Sequence, residues 1–163
     1  MDSHLRVGYG FDIHAFGVGD HIILGGIKID YKLGINAHSD GDVVIHALVD
    51  ALLGAAALGD IGLHFPDTEM CWQKCESRLF LKKSVQMLQK KNFSINNADI
   101  TIIAEAPKLS PYREAIRTNL ANDMEIDISQ VNVKATTTEK LGFIGRNEGI
   151  AATAIVLIQK LAN

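Results

Sequence analysis

The sequence predicts an α+β protein in which helices cover one face of a sheet. Its coarse element order, β-ββ-α-α-β-α-β-β, sets several strands beside few helices. The final run, IAATAIVLI, is apolar on both of its alternating sets, so both faces of that strand need a cover. Helices shield one face, and we expect a cyclic homo-oligomer to pack its sheets around a central axis and cover the other.

Composition predicts a single domain over residues 1–163. With 47% hydrophobic residues the chain can bury a core, and its formal net charge of −3 argues against general binding to nucleic acid or to an anionic membrane. The first residues, MDSHLRVG, hold no apolar signal core, and no apolar run reaches transmembrane length. Cys71 and Cys75 are too few for a disulfide scaffold. We therefore expect a cytoplasmic protein with reduced thiols.

The first predicted strand leads into a possible ion site. Leu5–Asp12 alternates weakly around Gly8 and Gly10, which predicts a strand whose glycines allow another backbone to approach closely. In an extended chain, Asp12 and His14 point to the same side about 6.5 Å apart, so a carboxylate and an imidazole can bind one ion. A surface turn capped by the aspartate is an equal alternative on this pattern alone.

A hairpin is predicted next, and we assign it to the scaffold. His21–Leu24 and Ile27–Tyr31 flank the pair Gly25-Gly26. Two glycines between two strand-like runs are typical of a primed turn, which requires positive φ at both central positions.

The central stretch, AHSDGDVVIHALVD, is a polar turn followed by an apolar helix that we expect to run from Val43 to Leu58. Ser39 or Asp40 can cap this helix, and Asp42 falls in its first turn, where a carboxylate meets free N–H groups. The helix is apolar nearly all round. His46 must therefore either satisfy both ring nitrogens in the core or bind something there.

The loop after this helix and the helix that follows it differ in predicted role. Residues 59–69, GDIGLHFPDTE, form a loop that either carries a site or serves as an acidic linker. Glu76–Lys91 places apolar residues at helical spacing among Lys and Gln, which predicts an amphipathic helix with a solvated basic face.

Two further strands and a bend follow. Ala98–Ala104 is a continuous apolar strand, and Ser110-Pro111 supplies an N-cap and a first-turn proline for a helix to about Ala121. Lys108, in the bend between them, is either an anion contact or an exposed residue. Gln130–Thr136 is the next strand. The TTTE that ends with Glu139 is either plain β-propensity or a row of hydroxyls ending in a carboxylate.

Five fragments in order along the chain resemble the 2-C-methyl-D-erythritol 2,4-cyclodiphosphate synthase family: GFDIHAF, AHSDGDVVIHALVDALLGAAALGDIG, FPDTE, AEAPKLSP and VNVKATTTEKLGFIGRNEGIA. The resemblance runs from about Arg6 to the last strand. It implies a ferredoxin-like subunit and a homotrimer with active sites between neighbouring subunits. The implied reaction, in the non-mevalonate isoprenoid pathway, converts 4-diphosphocytidyl-2-C-methyl-D-erythritol 2-phosphate to the cyclic diphosphate and releases CMP.

The resemblance also implies site residues. Asp12, His14 and His46 match zinc ligands, and Glu139 matches the residue that holds a second divalent cation, Mg²⁺ or Mn²⁺. His38 and Thr137 match the catalytic groups beside the reacting phosphates. Matches to erythritol and phosphate contacts are Asp12, His14, His38, Ser39, Asp60, Ile61, Gly62, Phe65, Pro66, Asp67, Thr68 and Glu69. Matches to the cytidine diphosphate pocket and the segment after it are Ala104, Glu105, Ala106, Pro107, Lys108, Leu109, Ser110, Thr136, Thr137, Thr138, Glu139, Phe143 and Arg146.

Two rival functions stay open at this point. A metal-dependent phosphohydrolase would use the same zinc to activate water. A non-catalytic trimer would bind prenyl diphosphates in an axial apolar cavity with Arg146 near its mouth, and the resemblance implies that such binding can also accompany catalysis. TTTE and AEAPKLSP favour the synthase, because a binder has no use for a second metal or a cytidine pocket.

Overall fold

The computed structural model describes residues 4–72 and 75–161. Its strands are β1 (Leu5–Gly17), β2 (His21–Leu24), β3 (Ile27–Asp30), β4 (Gly34–Ile35), β5 (Phe93–Ile103), β6 (Val131–Thr136) and β7 (Gly149–Lys160). Its helices are α1 (Val43–Ala55), α2 (Ile61–His64), α3 (Ser77–Lys90), α4 (Arg113–Met124) and α5 (Gly142–Gly145). Within these ranges no helix is both long and apolar enough to cross a bilayer, and both cysteines are free thiols, as predicted.

The predicted α+β class is confirmed. One sheet has five strands in the order β4-β1-β7-β5-β6, and β2 pairs with β3 in a separate hairpin. The predicted hairpin turn is also confirmed, since Gly25 and Gly26 have φ of 56° and 72°. Within the described residues the structure adds four short elements, β4, α2, α5 and a 3₁₀ helix at Ile128–Gln130, which are too brief to leave a periodic signal in the sequence.

The ferredoxin-like arrangement that the resemblance implied is wrong for this sheet. A ferredoxin-like subunit has the order βαββαβ and a split βαβ unit, in which another strand separates the two parallel strands. Here β5 and β6 are parallel neighbours, paired from Ala98↔Val131 to Ile103↔Thr136, and α4 connects them. Only the first half of the chain has a split unit, because β7 lies antiparallel between the parallel strands β1 and β5.

Helix α1 packs directly on β1 because that strand has glycines where the two backbones meet. A Cβ added at Gly8 would lie 1.9 Å from the carbonyl oxygen of Ala51, and one at Gly10 would lie 1.8 Å from that of Ala47. No side chain fits in such a gap. The close approach that the sequence predicted is therefore confirmed, and it brings α1 against the strand that carries Asp12 and His14.

The other face of the sheet is apolar and uncovered in the single chain. Alternate residues of β1, among them Val7 and Tyr9, are 68% and 61% exposed, and Ile155 of β7 is 50% exposed. The opposite set on β7, from Ile150 to Ile158, is buried beneath the helices. The sequence correctly predicted helices on one face and an apolar second face.

The structure corrects the predicted cap and end of one helix and the predicted start of another. Asp42, rather than Ser39 or Asp40, caps α1, and its carboxylate accepts hydrogen bonds from the N–H groups of Val44 and Ile45. Helix α1 also ends at Ala55 and not at Leu58. The helix predicted to start at Ser110-Pro111 begins instead at Arg113, after a turn in which the N–H of Tyr112 bonds to the carbonyl of Leu109.

Asp42 also joins α1 to the hairpin. Its carboxylate accepts hydrogen bonds from the N–H groups of Gly25 at 2.9 Å and Gly26 at 2.7 Å, in addition to the two from the helix. Burial raises the pKa of Asp42 to about 6, so the carboxylate is the main form at neutral pH. One buried side chain thus satisfies four backbone donors.

Asp42→Asn should lower the free energy of unfolding by about 2–3 kcal/mol, because the amide nitrogen faces N–H donors and leaves at least one of them unpaired. Urea denaturation at neutral pH measures this change. The matched control is Asp30→Asn, which removes an exposed carboxylate from β3 and should change stability by less than about 0.5 kcal/mol. Equal effects of the two substitutions would contradict the structural role of Asp42.

Candidate metal centre and active site

Three side chains from β1 and α1 converge at the end of the sheet. Asp12 and His14 lie on the face of β1 that α1 covers, and His46 lies on α1 above them. One oxygen or nitrogen atom from each residue lies within 4.8 Å of the other two. The Oδ2 atom of Asp12 is 2.9 Å from His14 Nδ1 and 3.2 Å from His46 Nδ1. The alternative of a surface turn is wrong, since β1 continues to Gly17.

The chemistry of this group fits a divalent metal. Nδ1 of His14 is buried and makes no hydrogen bond, although Asp12 is close. Buried polar atoms normally have a partner, and a cation between the carboxylate and the two imidazoles would provide one. The donors, one oxygen and two nitrogens, suit zinc among other metals.

Charge interactions favour the ionised carboxylate at this site. Burial alone would raise the pKa of Asp12, but the neighbouring His14 and His46 outweigh it and lower the pKa to about 2. Burial would lower the pKa of His46, yet its contact with the Asp12 carboxylate raises it. A carboxylate therefore lies between two imidazoles at neutral pH.

The second ring nitrogen of His46 has its own partners. Nε2 lies 2.9 Å from Ser77 Oγ and 3.3 Å from Ser39 Oγ. Ser77 in turn donates both its N–H, at 2.9 Å, and its hydroxyl to the carboxylate of Asp40. No pattern in the sequence singled out Ser77, and Asp40 was predicted only as a helix cap.

A cavity of roughly 380 Å³ opens beside the three donors. Aromatic rings form one wall: Phe65 stacks on Phe80 with centroids 4.9 Å apart, and Trp72 packs edge-on against Phe65 at 5.2 Å. The cavity can therefore hold a small anion near the donors and carbon atoms near the rings. Its lining comprises His14, His38, Ser39, His46, Ile61, Gly62, Phe65, Pro66, Asp67, Thr68, Trp72 and Phe80.

The loop between α1 and α3 is partly helical, which argues against the acidic-linker alternative. Asp60 caps α2 by accepting a hydrogen bond from the N–H of Leu63 at 2.9 Å. Asp50, on α1, accepts one from the N–H of Ile61 at 2.8 Å. Burial raises the pKa of Asp50. The sequence analysis missed Asp50, one helical turn after His46.

A second cavity, of roughly 340 Å³, lies at the end of β5 and β6. It shares no lining residue with the first cavity. Lys108 is exposed here, whereas Leu109 and Ala104 are 7% and 8% exposed and contribute to the core as well. The lining comprises Ala104, Glu105, Pro107, Lys108, Leu109, Ala135, Thr136 and Thr137.

Glu105 fixes the turn that carries Glu139. Its Oε1 atom accepts hydrogen bonds from Thr138 N at 2.9 Å, Thr138 Oγ1 at 3.2 Å and Lys140 N at 3.2 Å. These bonds, that of Thr138 N first, lower the pKa of Glu105. Glu139 has a φ of 52°, and Oγ1 of Thr137 donates to its Oε1 at 3.0 Å. Since β6 ends at Thr136, plain β-propensity does not explain the rest of TTTE.

Comparison with known proteins identifies the family. The sequence matches the YgbB family over residues 5–159, nearly the whole chain. The chain belongs to the YgbB family. Curated relatives are named 2-C-methyl-D-erythritol 2,4-cyclodiphosphate synthase; that of Thioalkalivibrio sulfidiphilus is 55% identical over 96% of this chain and 98% of its own, and that of Haemophilus influenzae is 56% identical over 94% and 98%.

Solved structures related to this YgbB-family chain have the same fold. The CDP complex of IspF from Plasmodium falciparum is 38% identical, with a TM-score of 0.86 over 99% of this chain and 100% of its own. The bifunctional IspDF of Campylobacter jejuni is 43% identical, with a TM-score of 0.94 over 98% of this chain. This chain spans 43% of that bifunctional protein.

Within this YgbB-family subunit the predicted site residues fall into separate groups. Asp12, His14 and His46 form the donor group, and the two cavities hold most of the others. Arg146 pairs with Glu148, with Nε and Oε1 2.8 Å apart, and Phe143 is exposed on α5. Predicted contacts outside both cavity linings are Asp12, Asp60, Glu69, Ala106, Ser110, Thr138, Glu139, Phe143 and Arg146.

Proposed function

We propose that this chain converts 4-diphosphocytidyl-2-C-methyl-D-erythritol 2-phosphate to 2-C-methyl-D-erythritol 2,4-cyclodiphosphate and releases CMP, in the non-mevalonate isoprenoid pathway. The observation that carries the proposal is the donor group of Asp12, His14 and His46, two of which, His14 and His46, line a cavity of roughly 380 Å³. The names of the curated relatives and the CDP complex of the Plasmodium falciparum protein support it.

Asp12, His14 and His46 would hold a zinc ion, and their number suits a catalytic site. Three protein ligands leave one tetrahedral position for a substrate oxygen. When bound there, Zn²⁺ would polarise a phosphate oxygen of the substrate and offset its negative charge. Glu139 would hold a second, harder cation, Mg²⁺ or Mn²⁺, for which a carboxylate oxygen is a suitable ligand.

The protein's task is to bend the substrate, because the attacking atom belongs to the substrate itself. A phosphate monoester has a second pKa of about 6, so the 2-phosphate is largely dianionic at neutral pH and needs no protein base. Residues of the first cavity would hold the erythritol and the β-phosphate, with His38 positioned beside the reacting phosphates. Thr137, in the second cavity, would hold the opposite end of the diphosphate. The 2-phosphate oxygen would then lie in line with the β-phosphorus and the leaving oxygen of CMP.

The second cavity supports the assignment of the cytidine group. The bend at 104–110 follows a buried strand and presents backbone N–H and C=O groups, which can read the edge of a pyrimidine. Lys108 is exposed at this bend and can meet the phosphates. A phosphohydrolase that used the same zinc to activate water would have no need of this pocket. The synthase is therefore favoured.

The homotrimer is also proposed, on two features of the single chain. The two cavities share no residue although one substrate must reach both, and the outer face of the sheet is apolar and uncovered. A neighbouring subunit can meet both needs by covering that face and bringing its second cavity to the first cavity of this chain. Prenyl diphosphate binding near Arg146 in an axial cavity, and a cytoplasmic location, stay predictions.

Light scattering tests the assembly. The expected mass at micromolar concentration is three times the subunit mass of 17.7 kDa. A monomer at that concentration would overturn both the trimer and the shared active site.

Product analysis tests the reaction. Purified protein incubated with the cytidyl substrate, zinc and Mg²⁺ should yield CMP and the cyclic diphosphate in equal amounts by phosphorus NMR. An analogue without the 2-phosphate should not react, because it lacks the nucleophile. Release of inorganic phosphate, or turnover of that analogue, would point to the hydrolase instead.

Glu105→Ala should raise the Mg²⁺ concentration needed for half-maximal CMP release by about 10-fold or more, since the turn carrying Glu139 loses three hydrogen bonds. Glu105→Gln is the matched control, because its amide oxygen can still accept those bonds. Zinc content should be unchanged in both. An unchanged Mg²⁺ requirement in the alanine variant would show that Glu105 does not position this turn.

A further inference from the structure

A partly buried series of hydrogen bonds leads from His46 away from the donor group. Nε2 of His46 lies 2.9 Å from Ser77 Oγ, and the Ser77 hydroxyl contacts Oδ1 of Asp40. Ser77 is fully buried, and its backbone N–H also donates to Oδ2 of Asp40 at 2.9 Å. We propose that Ser77 and Asp40 are positioning residues that orient His46 for metal binding, a proposal that rests on the proposed zinc site.

The Asp40 carboxylate, at the end of this series, fixes the direction of each hydrogen bond in it. An ionised carboxylate only accepts hydrogen bonds, so the hydroxyl proton of Ser77 points to Asp40. The oxygen of Ser77 then has only lone pairs to offer, and Nε2 of His46 must carry the proton in the bond between them. Nδ1 is hydrogen-bonded to Asp12 Oδ2 at 3.2 Å in the structure, and with the Nε2 proton held by Ser77 a bound cation would take the place of the proton between Nδ1 and that carboxylate. His46 is thus set to bind a cation through Nδ1.

Three separate parts of the chain meet in this arrangement. Asp40 lies in the turn before α1, Ser77 is the first residue of α3, and His46 is in the first turn of α1. Asp40 is held in turn by the N–H of Asp42, which donates to its Oδ1 at 3.2 Å. The start of α3 is therefore fixed against α1 at the position that sets the imidazole plane. Ser39 Oγ, 3.3 Å from Nε2, is the longer of the two serine contacts.

The test compares two buried serines on α3. Ser77→Ala removes the partner of His46, and Ser84→Ala removes a hydroxyl that is also fully buried but donates to the carbonyl of Phe80 at 2.9 Å. Ser77→Ala loses the hydroxyl's two hydrogen bonds, to His46 and Asp40, and Ser84→Ala loses one, so circular dichroism first establishes that both variants are folded. Zinc affinity is measured on metal-stripped protein by competition with a chromophoric chelator. Ser77→Ala should bind zinc about 10–100-fold more weakly, and Ser84→Ala should match the wild type.

A second variant and a spectroscopic readout complete the test. Asp40→Asn removes one acceptor of Ser77 and should also weaken zinc binding, which keeps the proposal testable if Ser77→Ala does not fold. With Co²⁺ in place of zinc, the visible absorption of Ser77→Ala should change in shape, because the imidazole is no longer held in one orientation. Wild-type zinc affinity and an unchanged Co²⁺ spectrum in a folded Ser77→Ala protein would overturn this proposal alone. A wild-type protein that binds no zinc would overturn the metal site itself.

Discussion

Replacing His46 by alanine should remove zinc and CMP release together. The substitution deletes one of three donors that lie within 4.8 Å of one another, and two remaining donors cannot hold the ion at a useful affinity. A bound metal contributes several kcal/mol of transition-state stabilisation, so the rate should fall by about a thousandfold or more. Elemental analysis gives zinc per subunit, and the initial rate of CMP release gives activity.

The matched control for His46→Ala is another histidine. His21 lies on β2, away from the donor group, and its ring is hydrogen-bonded to Asp20. His21→Ala should therefore leave zinc and activity unchanged. A measured content of one zinc per subunit in His46→Ala would contradict the assignment of His46 as a ligand.

Glu139→Gln should keep the zinc and lose turnover. Glutamine has the same length but no charge, and Asp12, His14 and His46 are untouched. The charge of the departing CMP develops chiefly in the transition state, and loss of one such electrostatic element typically costs about 10²–10³ in rate. The rate of CMP release across a Mg²⁺ titration, together with zinc per subunit, measures both effects.

A surface carboxylate provides the control for Glu139. Glu114→Gln removes an exposed carboxylate on α4 that pairs with Arg117, and should not change the Mg²⁺ dependence. If Glu139→Gln turns over like the wild type at limiting Mg²⁺, TTTE binds no second cation and the two-metal account fails.

Features encoded in short segments could be predicted from the sequence. The hairpin followed from the pair Gly25-Gly26, because a primed turn needs positive φ at both residues. The close packing of α1 followed from Gly8 and Gly10, because only glycine leaves room for a second backbone. The D-x-H spacing predicted that Asp12 and His14 converge, because residues two apart in a strand point to the same side.

Features that depend on distant partners could not be predicted. Asp42 directly precedes Val43, so the local N-cap rule could have identified it as the cap of α1, whereas its bonds to Gly25 and Gly26 in the hairpin have no local signal. The strand order also depends on distant partners, because β5 pairs with β6 through residues about 33 positions apart.

The residues that support the site were missed for this reason. Ser77 meets His46 from 31 positions away and Asp40 from 37, and a serine at the start of an amphipathic helix carries no signal of its own. Asp50 follows His46 by one turn, but the polar partner that gives it a role, the N–H of Ile61, belongs to another element. The resemblance predicted the three donors that the structure brings together, whereas the contacts of Ser77 and Asp50 could be seen only in the structure.

The central claim is that the substrate's own phosphate, and not water, attacks the β-phosphorus. The direct test is to run the reaction in water enriched in oxygen-18. Mass spectrometry then gives the masses of both products and shows whether an oxygen from water has entered them. The account predicts that neither CMP nor the cyclic diphosphate gains a heavy oxygen, because every atom of both products comes from the substrate. One heavy oxygen in either product, with a linear phosphate in place of the cyclic one, would contradict it.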